Sequence, residues 1–215
     1  MNTRRRLVIG FCAVAIAGAV VVAGAMATPA PSASRSYRDF DPDRLAALEL
    51  DMWQAYYAKE RLRLFGDLVV SLREQFGYSW LDATRAAWSF ARAAAWFGDA
   101  TGDYERALPG LRAGYAIARA RARASFDPAA VARAELAWWV ARREPGNNAP
   151  HQVGALIAQQ YALFYEVPVA RVEAAGRLRA EAAALRDEGG AEADWAAVGA
   201  TLTQAYRALR SSVAR

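Results

Sequence analysis

The chain has 215 residues and a formal net charge of +5 at pH 7, a length that suits one domain or two small ones. Apolar residues make up 55% of the chain, and 53 residues are alanine, so an intrinsically disordered or collagen-like chain is excluded. Cys12 is the only cysteine and His151 the only histidine, which excludes a disulfide framework, a zinc knuckle, attached haem and a di-iron centre with two Glu-x-x-His motifs. We therefore expect neither a metal nor a cofactor.

The N-terminal segment has the pattern of an export signal. Arg4, Arg5 and Arg6 precede twenty-one residues, 7–27, that carry no charge. A positive start before an apolar run directs a chain across the membrane. The arginines are expected to stay on the cytoplasmic side, and the rest of the chain to lie outside the cytoplasm.

Two fates of this segment remain open. Residues 25–27, Ala-Met-Ala, fit the small-x-small pattern of a cleavage site, and cleavage near Ala27 would produce a periplasmic or secreted protein. Alternatively, a helix over residues 7–27 would be ~30 Å long, enough to span the hydrocarbon core of a bilayer. The protein would then be anchored in the cytoplasmic membrane by a single N-terminal helix.

Residues 28–40 are rich in proline and small polar residues, a composition typical of a flexible linker. We predict a linker over 28–40 and an extracytoplasmic domain over 41–215. The chain after residue 27 has 24 basic and 22 acidic residues, because three of the basic residues lie in the N-terminal segment. A near-neutral domain lacks the concentrated basic face that nucleic-acid binding requires, so we expect no nucleic-acid partner.

From residue 41 onward the sequence shows the start and stop signals of α-helices. Asp41 and Asp127 are N-cap residues that each precede a proline, and Ser79 with Asp82 resembles a capping box. Glycine or proline ends most of the segments. The predicted helical segments are 41–76, as one helix or as two that meet at Gly66, then 79–98, 104–125, 127–144, 149–166, 168–187 and 191–215.

The spacing of apolar residues also indicates helices. In the last segment they recur every three or four positions along one face, at Trp195, Val198, Leu202, Tyr206, Leu209 and Val213. We predict an all-α fold of about six to seven antiparallel helices stacked as hairpins. Either a bundle or a short solenoid is compatible with amphipathic helices of this length.

Residues 102–108, Gly-Asp-Tyr-Glu-Arg-Ala-Leu, resemble the turn and second helix of a tetratricopeptide repeat hairpin. Ala95, Ala107 and Gly114 match its three small positions, and Leu111 matches a bulky one. Small residues at these places let two helices cross closely. The resemblance covers about a third of the exported part and implies stacked hairpins with a protein-binding surface. It implies no catalytic residue.

Six tryptophans lie in the helical region after Trp53, among many alanines. Alanine lets helices approach closely, and bulky aromatic side chains fill the space between them. We therefore predict that the tryptophans pack in the core and between helices. They are Trp80, Trp88, Trp96, Trp138, Trp139 and Trp195.

Glu135 is the one side chain that suggests catalysis. Helical spacing places it near Trp138 and Trp139 on adjacent turns, and an apolar wall raises the pKa of a carboxyl group towards that of a general acid. The sequence contains neither a Gly-x-Ser-x-Gly elbow nor a phosphate-binding Gly-x-x-x-x-Gly-Lys loop. An exported all-α glycan hydrolase with Glu135 as its acid is therefore the alternative function, and it requires a second carboxylate in a shared cleft.

Three arginines form a possible interaction surface. Arg112, Arg119 and Arg123 step by seven and four positions, which places them along one helix face. Such a face can meet anionic lipid or an acidic partner, or it can simply be solvated. We predict a non-catalytic protein-interaction or accessory module of the cell envelope, with an envelope protein as partner and membrane contact through residues 7–27.

Overall fold

The computed structural model describes residues 36–144 and 146–214. The segment predicted as a signal or anchor, 1–27, lies outside the described residues. The described residues contain eight α-helices and no strand, which confirms the all-α prediction. The helices are α1 (Pro42–Tyr57), α2 (Arg61–Phe76), α3 (Trp80–Asp99), α4 (Leu108–Ala122), α5 (Pro128–Arg143), α6 (Pro150–Tyr165), α7 (Val169–Gly189) and α8 (Trp195–Val213), with short 3-10 helices at Tyr104–Ala107 and Gly190–Glu192.

The helix starts follow the capping residues that the sequence displays. The Asp41 carboxylate accepts hydrogen bonds from the backbone N–H groups of the second and third residues of α1, at 3.0 and 3.1 Å. Asp127 does the same at the start of α5, and the Ser79 hydroxyl accepts from the Asp82 N–H at the start of α3. Each cap satisfies backbone donors that a helix end leaves unpaired.

The first predicted segment is two helices, but the break is not at Gly66. It lies at residues 58–60, where Lys59 adopts a left-handed conformation with φ of 61°. The Glu60 N–H donates to the Ala55 carbonyl at 2.8 Å, which closes the turn. Gly66 lies inside α2, where an added Cβ would meet open space. Because a lysine makes this turn, no glycine or proline marked it in the sequence.

The helices form a closed circuit. Each helix packs against the next one along the chain, and α8 also packs against α1. In a solenoid a repeat contacts only its neighbours, so the first and last helices do not meet. The closure therefore describes a bundle, and no tetratricopeptide-like repeat is apparent in the described part of the chain.

The α3–α4 hairpin, which carries the tetratricopeptide resemblance, is antiparallel. Ala107, Leu111 and Gly114 are buried as that resemblance implies, whereas Ala95 is exposed. The closest approach of the two helices is at Gly110, where an added Cβ would lie 2.7 Å from the Ser89 carbonyl oxygen. A second close crossing joins α6 to α7.

The crossing of α6 and α7 depends on two facing glycines. A Cβ added to Gly176 would lie 2.4 Å from the carbonyl oxygen of Gly154, and one added to Gly154 would lie 2.8 Å from the Cα of Arg177. Real Cβ atoms do not approach backbone so closely, so any larger residue would push the helices apart. The two backbones can touch only because both positions lack a side chain.

The folded domain begins before residue 41, which corrects the predicted linker boundary. Phe40 is 2% exposed and belongs to a core cluster with residues of α6, α7 and α8. The Tyr37 ring stacks on that of Tyr165 at 5.7 Å. The Arg38 guanidinium donates to the carbonyl oxygen of Tyr165 at 2.5 Å. Residues 37–40 therefore pack as part of the domain, because three of them carry large side chains.

The prediction that all six tryptophans pack inside is wrong for two of them. Trp88 is 51% exposed and Trp96 is 44% exposed, whereas Trp138 is buried and the other three are partly buried. The reason lies in the composition of α3. Its buried face consists of alanines, namely Ala83, Ala86, Ala87 and Ala93, and the two tryptophans lie elsewhere on the helix surface.

Candidate functional site

Glu135 lies on α5 at the start of a line of hydrogen bonds through the interior. Its Oε2 accepts a hydrogen bond from the hydroxyl of Tyr115 on α4. The same hydroxyl accepts from Nε2 of Gln160 on α6 at 2.6 Å. Oε1 of Gln160 in turn accepts from the indole N–H of Trp138 at 3.1 Å. Three helices are thus joined by side-chain polar groups.

The environment of Glu135 changes the pKa of its carboxyl group. Burial raises the pKa of the Glu135 carboxyl to about 7, against the opposing effects of the Tyr115 hydroxyl, the Arg179 charge and the Trp139 side chain. Burial, together with the nearby Glu135 carboxylate, also raises the pKa of Tyr115 well above its usual value. Tyr115 therefore remains a neutral donor, while Glu135 takes up or releases a proton near neutral pH.

A buried ion pair continues the network on the other side of Trp138. Glu49 on α1 accepts from Arg179 on α7, with the shortest N–O distance at 2.5 Å, and their side chains are 6% and 15% exposed. The hydroxyl of Tyr206 on α8 donates to the other oxygen of Glu49. The Arg179 guanidinium also lies 4.8 Å from the ring centre of Trp138. The network thus connects six of the eight helices.

This network resembles a structural core more than a catalytic centre. The carboxylate of Glu49 is held by Arg179 and Tyr206. Glu135 is partly buried and makes no ion pair within the described residues. Its carboxylate accepts a hydrogen bond from the Tyr115 hydroxyl instead. Buried polar groups with satisfied partners specify which helices meet. The hydrolase interpretation requires two carboxylates that face each other in one open cleft. Glu135 and Glu49 do not form such a pair.

A groove in the described part of the chain lies elsewhere, between α4 and α5. Its volume is about 480 Å³ and it is open to solvent. The walls consist mostly of alanine methyl groups and other apolar atoms, together with two arginines. The lining residues are Leu108, Pro109, Arg112, Ala113 and Ala116 of α4 and Ala129, Ala132 and Arg133 of α5. Glu135 does not line it.

The groove contains one of the three arginines that the sequence singled out. Arg112 lines it, while Arg119 and Arg123 are exposed further along, Arg123 beyond the end of α4 with φ of 50°. Arg133 on α5 is the arginine that sequence reasoning missed. Within residues 36–144 and 146–214, none of these four guanidinium groups makes an ion pair.

A smaller cavity of about 240 Å³ lies where α5, α6 and α7 meet. It is lined in part by an ion pair between Arg142 and Asp187 at 2.9 Å. Tyr57 of α1 donates to the same carboxylate at 3.1 Å. These polar groups satisfy one another, whereas Glu188, which also lines the cavity, is exposed and makes no ion pair within the described residues.

Some of the site residues could have been found from the sequence. Glu49 lies between Leu48 and Leu50 and shares a helix face with Leu45, and a carboxylate on an apolar face signals a buried partner. No such signal marked Arg112 and Arg133 as residues of one groove, because their proximity depends on how α4 and α5 pack. His151 is exposed at the start of α6. The described residues contain no group of three or more His, Cys, Asp or Glu side chains that could hold a metal ion.

Comparison with known protein families, characterised proteins and solved structures finds no match. No described helix has the length and hydropathy of a membrane span. The geometry of the groove and of the polar network is therefore the basis for a functional proposal.

Proposed function

We propose that the protein is a non-catalytic interaction module of the cell envelope, and that its α4–α5 groove binds an amphipathic helix of a partner protein. The observation that carries the proposal is an open, apolar groove with two exposed arginines, Arg112 and Arg133, in its lining. Alanine walls accept apolar side chains at close range, and an arginine pairs with a carboxylate in a forked geometry. The helix that fits has an apolar stripe flanked by glutamate or aspartate.

The charge of the groove argues against occupation by the protein's own N-terminal segment. Residues 1–27 carry three arginines and no acidic residue, so they would place positive charge beside Arg112 and Arg133. Like charges that are brought close together repel each other, which disfavours binding. The occupant is therefore a separate, acidic chain. We place this interaction in the cell envelope because residues 4–27 of the protein have the pattern of an export signal.

The test is photo-crosslinking from the groove in living cells. A benzophenone amino acid at Ala116, an exposed groove residue, is expected to trap a discrete partner. Mass spectrometry of the adduct should identify an acidic, amphipathic segment at the crosslinked position. The same probe at Ala200, an exposed alanine of α8, is the matched control and should trap none of this partner.

Charge reversal distinguishes the groove from general stickiness. Arg112→Glu combined with Arg133→Glu should abolish the Ala116 adduct, because the groove would then repel the acidic helix. Arg171→Glu, at another exposed arginine, should leave it intact. An Ala116 adduct that survives the double reversal, or a crosslinked segment without acidic residues, contradicts the proposal.

The alternative, a glycan hydrolase, has one observation in its favour: the pKa of Glu135 is raised to about 7 by burial, the range of a general acid. Neither cavity described above is lined by Glu135, and the Glu49 carboxylate is occupied by Arg179. The geometry therefore favours the binding module. Glycan turnover by the wild-type chain that is lost in Glu135→Gln would reverse this preference.

A further inference from the structure

A second surface of the molecule, on α3, has an unusual composition. Five exposed side chains recur at intervals of three or four positions and so share one face of the helix. Its three large apolar members are 59%, 51% and 44% exposed. This set, which we call the α3 stripe, consists of Leu81, Arg85, Trp88, Arg92 and Trp96.

The α3 stripe cannot be covered by a rotation of the helix. The opposite face of α3 is already buried, with Ala83 and Ala93 fully enclosed in the core, and Ser79 caps its first turn. A contiguous exposed apolar surface is typical of a site that meets a protein or a membrane. The stripe is therefore expected to have an occupant when the protein is in its working location.

The α3 stripe contains two arginines and no acidic residue, so it carries net positive charge. The guanidinium of Arg106 lies 4.2 Å from the ring centre of Trp96 and adds to that charge. Arg85 and Arg92 make no ion pair among the described residues. Asp82, three positions before Arg85, pairs with Arg121 of α4, and the Arg85 charge acts on it more weakly. The occupant is therefore anionic, and a second copy of this stripe is excluded by charge repulsion.

The position of the chain's N-terminal end favours a membrane as that occupant. The Tyr37 hydroxyl donates to Glu166 at 3.2 Å, and Ser125, just beyond α4, donates to the same carboxylate. Arg121, near the end of α4, pairs with Asp82 in the first turn of α3. The point where the chain enters the domain and the first turn of α3 thus lie at the same end of the bundle.

The chain outside the structure is short enough to keep the stripe close to a bilayer. Eight residues, 28–35, separate the apolar run 7–27 from Ser36, and a chain of this length spans at most ~28 Å. If the apolar run stays in the membrane, the domain is held within that distance of the headgroups. The stripe then meets lipid at a high effective concentration.

We propose that the α3 stripe lies on the surface of a bilayer rich in anionic lipid. Trp88 and Trp96 enter the boundary between headgroups and acyl chains, where amphipathic indole rings are favoured. Arg85 and Arg92 pair with lipid phosphates. This contact uses a different surface from the α4–α5 groove, so the two proposals can fail separately.

The test is a depth measurement on the full chain reconstituted into vesicles. In a Cys12→Ser background, a nitroxide on Ala95→Cys reports on the stripe, because Ala95 is exposed and lies seven positions after Trp88. The same label on Ala200→Cys of α8 is the control. Collision rates with oxygen, which concentrates in lipid, and with a water-soluble nickel complex give the depth of each label.

In vesicles of phosphatidylcholine and phosphatidylglycerol, the label at position 95 should become accessible to oxygen and shielded from nickel. The label at position 200 should stay in water. Both labels should read as aqueous in pure phosphatidylcholine. Each of the substitutions Arg85→Gln and Arg92→Gln should lower the ratio of lipid-bound to unbound stripe about fivefold, whereas Arg171→Gln should not change it.

Two results would overturn the proposal. One is equal nickel accessibility at positions 95 and 200 in anionic vesicles. The other is shielding of the label at position 95 only after envelope proteins are added, which would assign the stripe to a protein partner. Neither result affects crosslinking from Ala116, so the function proposed for the groove is judged independently.

Discussion

Replacement of Glu135 by glutamine tests the polar network through its pH dependence. Burial raises the pKa of the folded-state carboxyl from 4.5 to about 7. Between these two values the folded protein binds more protons than the unfolded chain does, so the free energy of unfolding falls as pH rises through this window. The stabilisation is fully present below about pH 4.5 and lost above about pH 7.

The magnitude follows from the difference between the two pKa values. A fully buried carboxyl with this difference contributes about 3 kcal/mol between the limits. Glu135 is partly exposed, and solvent screening reduces the effect, so we expect about 1–2 kcal/mol. Glutamine keeps an oxygen that accepts from the Tyr115 hydroxyl but cannot ionise. Glu135→Gln should therefore be more stable than wild type at pH 8 by about this amount, with little difference at pH 5.

The measurement is the free energy of unfolding of the 28–215 fragment in urea, followed by helical circular dichroism at several pH values from 5 to 8. Glu173→Gln, an exposed glutamate of α7, is the matched control and should keep the wild-type pH dependence. A Glu135→Gln variant with the same pH dependence as wild type would falsify the account of a buried, protonating carboxyl. A variant that loses stability at pH 8 would count equally against it.

Three further predictions concern the buried ion pair, the helix crossing and the N-terminal segment. Arg179→Met leaves the Glu49 carboxylate buried without its cation, so the free energy of unfolding at pH 7 should fall by about 3–5 kcal/mol. Gly176→Ala places a methyl group against the backbone of α6 and should lower stability by about 1–3 kcal/mol, whereas Gly66→Ala, in open space inside α2, should raise it by about 0.5–1 kcal/mol. Mass spectrometry of the protein from cells should find either an intact N-terminus or one at Thr28, and an N-terminus at Thr28 would exclude the anchored form.

Controls separate these effects from general damage. The ion pair between Asp43 and Arg207 has side chains 54% and 62% exposed, so Arg207→Met should cost less than about 1 kcal/mol. If Arg207→Met and Arg179→Met lower the free energy of unfolding equally, burial does not increase the cost of breaking the Glu49–Arg179 pair. If Gly176→Ala and Gly66→Ala change stability in the same direction, the close crossing of α6 and α7 is not real.

The parts of the fold that depend on neighbouring residues were predictable. Asp41, Ser79 and Asp127 begin helices in the structure because a side-chain acceptor next to free backbone N–H groups acts over two or three residues only. The break at Lys59 was not predictable in the same way, since a lysine adopts a left-handed conformation only when the surrounding packing outweighs its local cost.

The interior of the site illustrates the limit of local reasoning. The sequence analysis attributed a raised pKa of Glu135 to Trp138 and Trp139, whereas burial raises this pKa and Trp139 opposes the shift. The hydrogen-bond partner of Glu135 is Tyr115, twenty positions away on another helix. Glu49 and Arg179 are separated by 130 positions, and no spacing rule links them.

The helical class and the helix starts were determined by the sequence itself, because capping and periodicity act within one or two helical turns. Only the tertiary structure decided that α8 packs against α1, that Arg112 and Arg133 line one groove and that Trp88 and Trp96 are exposed. These features depend on which helix faces meet. That choice is made by close backbone contacts, such as the one between Gly154 and Gly176, and by buried polar pairs such as Glu49 and Arg179, whose members lie far apart in the sequence.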